Sequence, residues 1–210
     1  MTLQYLDTPR SRRLAYVKSD ASGPTIVFLG GYKSDMSGTK AVWLEDWCRA
    51  RGQAYLRFDY SGHGQSSGAF EEGCIGDWAE DAEAVIKATC NGPLVLVGSS
   101  MGGWISLLLT QRLKNIVGLV TIAAAPDFTE DGRDHLVLRA PLPLPFPVRC
   151  LQGTADAAVT RDTALRLLDH ADSPDMALTL LKGADHSFSA PDCLPLIAGA
   201  IEEVMQRADH

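Results

Sequence analysis

The sequence predicts an α/β protein with a mostly parallel sheet and helices on both faces. Three observations carry this reading. Strand-like and helix-like segments alternate along most of the 210 residues. Several strand-like segments are continuous apolar runs, as expected for strands covered on both sides. A hairpin-like pair opens the chain, and βαβα alternation then needs crossover connections that lay helices on a parallel sheet.

The elements follow in order. Leu3–Asp7 and Leu14–Lys18 read as a hairpin through the Pro9–Arg12 turn region. Thr25–Leu29 is an apolar run ending at Gly30-Gly31. A helix is expected over about Thr39 to Arg51, with Val42, Trp43, Trp47 and Ala50 on its apolar stripe, and Ala54–Phe58 is the next strand. Ile75, Trp78, Ala82, Val85, Ile86 and Thr89 recur at helical spacing. Leu94–Val97 is an apolar strand, Gly102–Leu113 a helix and Ile116–Ala123 a strand. Val148–Leu151 is a short strand, Arg161–Asp169 a helix and Met176–Leu181 the last strand. A final helix starts near Pro191, a residue suited to a first helical turn, with Leu194, Ile197, Ala200, Ile201 and Val204 as its apolar face. Between Ala140 and Pro147, four of the 11 prolines predict an extended connector.

Composition narrows the function classes. Apolar residues make up 46% and charged residues 21%, the balance of a folded protein rather than a disordered one. The length suits one domain spanning residues 1–210. A net charge of −7 disfavours general nucleic-acid binding, which rewards clustered Lys and Arg. No apolar run approaches the roughly 20 residues needed to span a bilayer. The first residues lack a basic segment followed by an apolar one, so no secretory signal is expected. Arg10, Arg12 and Arg13 lie between strand-like segments and read as a solvated turn rather than a transit peptide. Five widely spaced cysteines without a CxxC pair argue against a disulfide framework and a zinc site, and fit free thiols in the cytoplasm.

The sharpest local signal is Leu94-Val95-Leu96-Val97-Gly98-Ser99-Ser100-Met101-Gly102-Gly103. It reads strand, G-x-S-x-G, helix, with Ser100 at the centre. A serine on such a turn projects its hydroxyl out of the sheet on a strained backbone, and the flanking glycines let strand and helix pass close by. The N–H groups opening the helix favour developing negative charge. Ser99 is the rival hydroxyl, but it occupies the first x position.

A serine nucleophile needs a base, and the base needs an orienting carboxylate. Among five histidines, His186 lies just past the last strand, where a sheet delivers residues to its carboxyl edge. His63 and His135 sit in loops, His170 ends a helix and His210 ends the chain. Asp156, after the Val148–Leu151 strand, is the leading acid, and Asp127, beyond the strand ending near Ala123, is the runner-up. Asp185 neighbours the histidine in sequence and would point away from it. Two N–H donors are needed for an oxyanion. Met101 supplies one, and the Gly30–Ser34 loop supplies the other, with Tyr32 as the best candidate.

Together these residues resemble the α/β-hydrolase superfamily. They are most similar to the branch containing the mitochondrial mycophenolic acid acyl-glucuronide esterase, also described as a palmitoyl-protein thioesterase. The matching stretches are Gly31-Tyr32, Met36 to Ala41, Arg57 to Gly62, Gly98 to Trp104, Gly153-x-x-Asp156 and Asp185-His186. The resemblance covers nearly the whole chain. It implies a serine ester or thioester hydrolase with Ser100, Asp156 and His186 as triad, and no metal or organic cofactor. It also implies a mainly structural role for the loop carrying His63. Two features depart from the family. The helical cap is reduced to the 24 residues 124–147, and Ala157-Ala158-Val159 replaces a Val-Pro-Trp-like sequence after the acid.

The expected activity is a carboxylesterase acting on a small-molecule ester. A thioesterase acting on acylated proteins or acyl-CoA is the alternative. A non-catalytic hydrolase-like binding protein is disfavoured by a complete triad, and dehalogenase chemistry by serine standing where an aspartate would be needed. The missing residues predict a nearly capless site with an accessible Ser100, broad specificity and a bias to small acyl groups.

Overall fold

In a computed structural model, residues 2–128 and 130–208 are described. Met1, Thr129, Asp209 and His210, the last of them a histidine considered above, lie outside them. Ten strands are assigned: β1 (Gln4–Asp7), β2 (Arg13–Ser19), β3 (Ser22–Leu29), β4 (Gln53–Phe58), β5 (Leu94–Ser99), β6 (Ile116–Ile122), β7 (Leu142–Pro143), β8 (Val148–Gly153), β9 (Ala171–Asp172) and β10 (Met176–Leu181). The α-helices are α1 (Thr39–Ala50), α2 (Ile75–Thr89), α3 (Met101–Thr110), α4 (Arg161–His170) and α5 (Leu194–Ala208).

Among the described residues, eight strands form one sheet in the order β1-β2-β4-β3-β5-β6-β8-β10, and β7 pairs with β9. The first hairpin is antiparallel and β2 meets β4 antiparallel; from β4 to β10 every neighbouring pair is parallel. Continuous apolar strands are what this arrangement requires, because alternate side chains enter opposite layers. Val27, Leu29, Leu94 and Leu96 pack into the layer containing Trp78, Val85, Ile105 and Leu108 of α2 and α3. Ile26, Phe28, Val95 and Val97 pack into the layer containing Leu44 and Cys48 of α1 and Ile197, Ile201 and Val204 of α5.

The strand order also determines where a site can form. After β3 the chain crosses to β4 on one side, and after β5 it crosses to β6 on the other. The loops leaving β3 and β5 therefore diverge at adjacent carboxyl ends, where Leu29 is in register with Gly98. Such a switch point opens a crevice at the carboxyl edge. The ends of β6, β8 and β10 reach the same edge, with Ile122 beside Leu151 and Gly153 beside Leu181.

Three sequence readings are corrected. The buried face of α1 is Ala41, Leu44, Glu45 and Cys48, not the Val42–Ala50 stripe. Spacings of three and four residues put those side chains over the sheet. Glu45 is buried because it pairs with Arg57, and the half-buried Trp47 lies under the Arg51 guanidinium at 4.5 Å. In the Arg10–Arg13 turn Arg12 is docked rather than solvated, reaching Asp81 at 2.8 Å and Asp77 on α2, while Arg10 and Arg13 are exposed as expected and Arg10 reaches Glu80 at 2.7 Å. The last helix begins at Leu194, with Pro191 in the turn before it.

Residues 124–147 hold a 3₁₀ turn at Glu130–His135 and the short β7, with no α-helix assigned among the described residues. The proline-rich connector is extended, but it is also paired: Leu142 faces Ala171, and Leu142 and Leu144 are buried. The fold is thus an α/β sandwich without a large cap.

All five cysteines are free; Cys48, Cys90, Cys150 and Cys193 are buried. Burial pushes the Cys48 thiol up to about 12 and the Cys150 thiol up to about 11. A disulfide reagent at pH 8 should therefore modify only Cys74 quickly in the native protein, and all five thiols in denaturant. A second expectation concerns helix propensity. Gly199 is exposed on α5 and an added Cβ would meet nothing within 4 Å, so Gly199→Ala should raise unfolding free energy by about 1 kcal/mol in denaturant titration.

Candidate active site

Ser100 follows the last residue of β5 and precedes the first of α3, with φ 54° and ψ −116°. This is backbone that a residue with a side chain adopts only when its surroundings enforce it. Its N–H donates to the Ile122 carbonyl at 2.9 Å, and its own carbonyl accepts the N–H groups of Gly103 and Ala125 at 2.9 and 3.1 Å. The glycines permit the approach. A Cβ on Gly98 would run into the Gly102 carbonyl, and one on Gly102 would run into the Leu29 carbonyl at the end of β3.

The β3 loop passes directly over this turn. A Cβ on Gly31 would lie 3.3 Å from Ser100 Cβ. The loop is held by the buried Tyr60, whose hydroxyl donates to the Gly30 carbonyl at 3.2 Å. Among the described residues, the N–H groups of Met101 and Tyr32 have no backbone acceptor outside the helices and strands. Met101 opens α3, where the first N–H groups lack intrahelical partners. Met101 and Tyr32 both line a recess beside Ser100.

Asp156 and His186 arrive from the neighbouring strands. His186 Nε2 lies 3.0 Å from Ser100 Oγ, and His186 Nδ1 lies 2.8 Å from Asp156 Oδ2. With Nδ1 donating to the carboxylate, Nε2 is left as acceptor for the serine hydroxyl. The two loops are joined by main-chain bonds: Thr154 N–H donates to Leu181 and Ala155 N–H to Ala184, at 2.9 and 3.0 Å.

The Asp156 side chain is fully buried. Burial opposes its charge, yet the Val159 N–H, His186 and the Gln152 amide together hold its carboxyl below the ordinary value. The N–H groups of Ala158 and Val159 donate to Oδ1 at 2.9 and 2.8 Å, and Gln152 Nε2 donates to Oδ2 at 3.0 Å.

The other candidates are engaged elsewhere. Asp127 accepts the N–H groups of Val137 and Leu138 at 2.8 and 3.2 Å. Asp185 accepts the Ser187 hydroxyl and the Phe188 N–H, at 2.8 and 3.1 Å. The His63 ring packs edge-on among Tyr60, Phe70 and Trp78, and burial lowers its pKa. His170 contacts the Ala140 carbonyl at 2.8 Å, and His135 lies against Gly76.

Sequence reasoning misses two supporting residues. Gln152 is buried behind the acid and bonds Asp156 and the Val159 carbonyl. Lys40, on α1, donates to the Ser187 carbonyl and so ties α1 to the loop carrying His186. Lys40 belongs to no local pattern because it acts across the fold, whereas Gln152 acts on partners only four and seven residues away but carries no motif of its own.

Ser100 and His186 open onto a cleft of about 650 Å³, lined also by Gly30, Tyr32, Lys40 and Ala158. A narrower apolar recess of about 40 Å³ lies beside it, lined by Tyr32, Ile75, Trp78, Met101, Trp104 and Phe128. Among the described residues, no group of three or more His, Cys, Asp or Glu side chains is arranged to hold a metal ion, and no helix is long and apolar enough to cross a membrane.

Comparison with known proteins bears on this geometry. The model of the alpha/beta hydrolase family matches residues 26–200. The chain belongs to the alpha/beta hydrolase family. Among the relatives of this hydrolase is the Bos taurus mitochondrial palmitoyl-protein thioesterase ABHD10, 31% identical over 98% of the chain and 81% of the relative. Among solved structures, alpha/beta hydrolase domain-containing protein 10 from mouse matches with a TM-score of 0.92 at 30% identity, covering 98% of this chain and 99% of that one. A protein from Agrobacterium vitis S4 matches at 0.91 with 33% identity, over 97% and 98% of the two chains. The bovine alignment runs over 247 positions against 210 residues here, so the relative carries at least 37 positions without a counterpart in this hydrolase.

The lowered carboxyl of Asp156 makes a pH expectation with a definite sign. A depressed carboxyl contributes stability that is present above its unfolded pKa and lost as pH falls through its folded value. Gln152→Met removes one donor, raises that folded value and should move the acid-unfolding midpoint, followed by circular dichroism, to higher pH. An unmoved midpoint would show that the amide does not hold the charge.

Proposed function

We propose that this hydrolase performs two-step acyl transfer through an acyl-enzyme on Ser100, with His186 as base and Asp156 as its orienting acid. The observation that carries the reading is the continuous hydrogen-bonded path from Asp156 through His186 to Ser100 Oγ, open to a cleft. The serine proton passes to His186 Nε2 as Oγ bonds to the substrate carbonyl carbon. The carbonyl electron pair moves onto oxygen, where the N–H groups of Met101 and Tyr32 receive it. Collapse breaks the bond to the leaving group, which takes its proton from the imidazolium. Water then repeats the sequence on the acyl-enzyme, releasing the acid and restoring Ser100. Asp156 stays ionised throughout and stabilises the imidazolium.

Thioesters are the substrate class this reading favours, because relatives covered along nearly this whole chain are named palmitoyl-protein thioesterases. Carboxylic esters are the second class, favoured by the open cleft and by a mechanism common to both. The small recess beside Met101 suits a short acyl chain, with the leaving group in the cleft past His186.

A fluorophosphonate should label the protein, and Ser100→Ala should abolish labelling and lower kcat by about a millionfold. Asp156→Asn should lower kcat by about 10⁴-fold, by stabilising the wrong imidazole tautomer. The substrate class is read by comparing acetyl and palmitoyl thioesters with p-nitrophenyl esters of matched length. Robust turnover by Ser100→Ala would sink the mechanism.

A further inference from the structure

A second groove, of about 660 Å³, adjoins the Ser100 cleft and has a different character. Arg133, Arg139 and Arg166 line it, and all three are exposed. Arg133 has a partner of its own. Arg139 and Arg166 have no ion-pair partner among the described residues, although the chain carries a net charge of −7. Asp127 also lines the groove; its carboxylate accepts the N–H groups of Val137 and Leu138 and forms no ion pair with Arg139 or Arg166.

The groove is continuous with the acyl-transfer site. It shares Ala158 with the main cleft, and Ala125 and Phe128 with the apolar recess. Ala158 and Val159 on its wall are the residues whose N–H groups hold Asp156. A substrate with its carbonyl at Ser100 and its leaving atom at His186 can thus extend past Ala158 toward Arg139 and Arg166. Guanidinium groups match phosphate bidentately, and two lining one groove suit a ligand carrying more than one phosphate charge.

We propose that this groove binds the phosphate groups of a phosphorylated thiol, the leaving group of the thioester that Ser100 cleaves. The proposal rests on the thioester reading above. The reduced segment 124–147 supplies Phe128, Arg133 and Arg139, so the short cap forms the groove wall and leaves it open.

The test compares acetyl-coenzyme A with acetyl-N-acetylcysteamine, which presents the same thioester without phosphate. The wild type should favour the phosphorylated substrate in kcat/KM, by a ratio that narrows as salt rises. The double variant Arg139→Gln/Arg166→Gln should lower that ratio about tenfold, chiefly through KM. Arg49→Gln/Arg51→Gln removes the same charge from the far end of α1 and should leave the ratio unchanged. ADP should compete against acetyl-coenzyme A and lose potency in the groove variant. Cleavage of both thioesters with equal ratios in wild type and groove variant would overturn the groove assignment alone. So would a preference for acidic acylated peptides that Arg139→Gln/Arg166→Gln abolishes while acetyl-coenzyme A gains nothing over its neutral counterpart. Failure to cleave either thioester, with p-nitrophenyl esters still turned over, would overturn the thioester reading and the groove assignment with it.

Discussion

The close approach of α3 to the ends of β3 and β5 is the constraint on which the site depends. Gly98 and Gly102 have no Cβ where one would strike the Gly102 and Leu29 carbonyls. Because the helix can begin there, Ser100 is forced to positive φ with its hydroxyl above the sheet edge and the Met101 N–H left without an intrahelical acceptor. The β3 loop then passes within van der Waals distance of Ser100, which brings Tyr32 beside the same space. The positions of Ser100, of the Met101 and Tyr32 N–H groups and of the apolar recess are consequences of one packing contact. The cost is local backbone strain, and it recurs around that edge: Lys33, Ala123, Asp127 and Phe188 also have positive φ.

The second half of the site is arranged by hydrogen bonding more than by packing. A buried carboxylate is unfavourable unless donors surround it. Asp156 has two N–H groups, the Gln152 amide and His186. The donors fix its orientation, and its orientation fixes the imidazole. Main-chain bonds between the β8 and β10 loops and the Lys40 tether tie the loops carrying both residues to each other and to α1. Leaving out a large cap costs the site none of these supports, since all come from the sheet edge and α1. Segment 124–147 determines the surroundings instead: it has no α-helix among its described residues and lines a neighbouring groove with Arg133 and Arg139.

Much of this is legible in the chain. Buried strands announce themselves because both faces are apolar, and Thr25–Leu29, Leu94–Val97 and Ile116–Ala123 are readable for that reason. The extent of α2 follows from a strong 3.6-residue repeat. The α1 face misleads because Trp43 and Trp47 are large and apolar yet only half-buried, while the smaller Ala41, Leu44 and Cys48 fill the space above the sheet. Arg12 looks solvated in the sequence because its partners on α2 lie more than 60 residues away.

The sequence by itself determined the fold class, the strand–turn–helix around Ser100 and the positions of Asp156 and His186 at strand ends. Those are local properties: apolar periodicity, glycine placement and the order of segments act over a few residues and survive in the linear chain. Only the tertiary structure decided that Ser100, His186 and Asp156 lie within hydrogen-bond reach, that Asp127 is occupied by its own loop, and that Gln152 and Lys40 support the site. The contacts of Ser100, His186, Asp156 and Lys40 depend on strand order and register, which bring residues 30 to 147 positions apart to one edge, while Asp127 and Gln152 meet partners 4 to 11 residues away once their loops have folded. The pairing energy resides in contacts that exist only after the sheet has closed, so no stretch of the chain carries it alone.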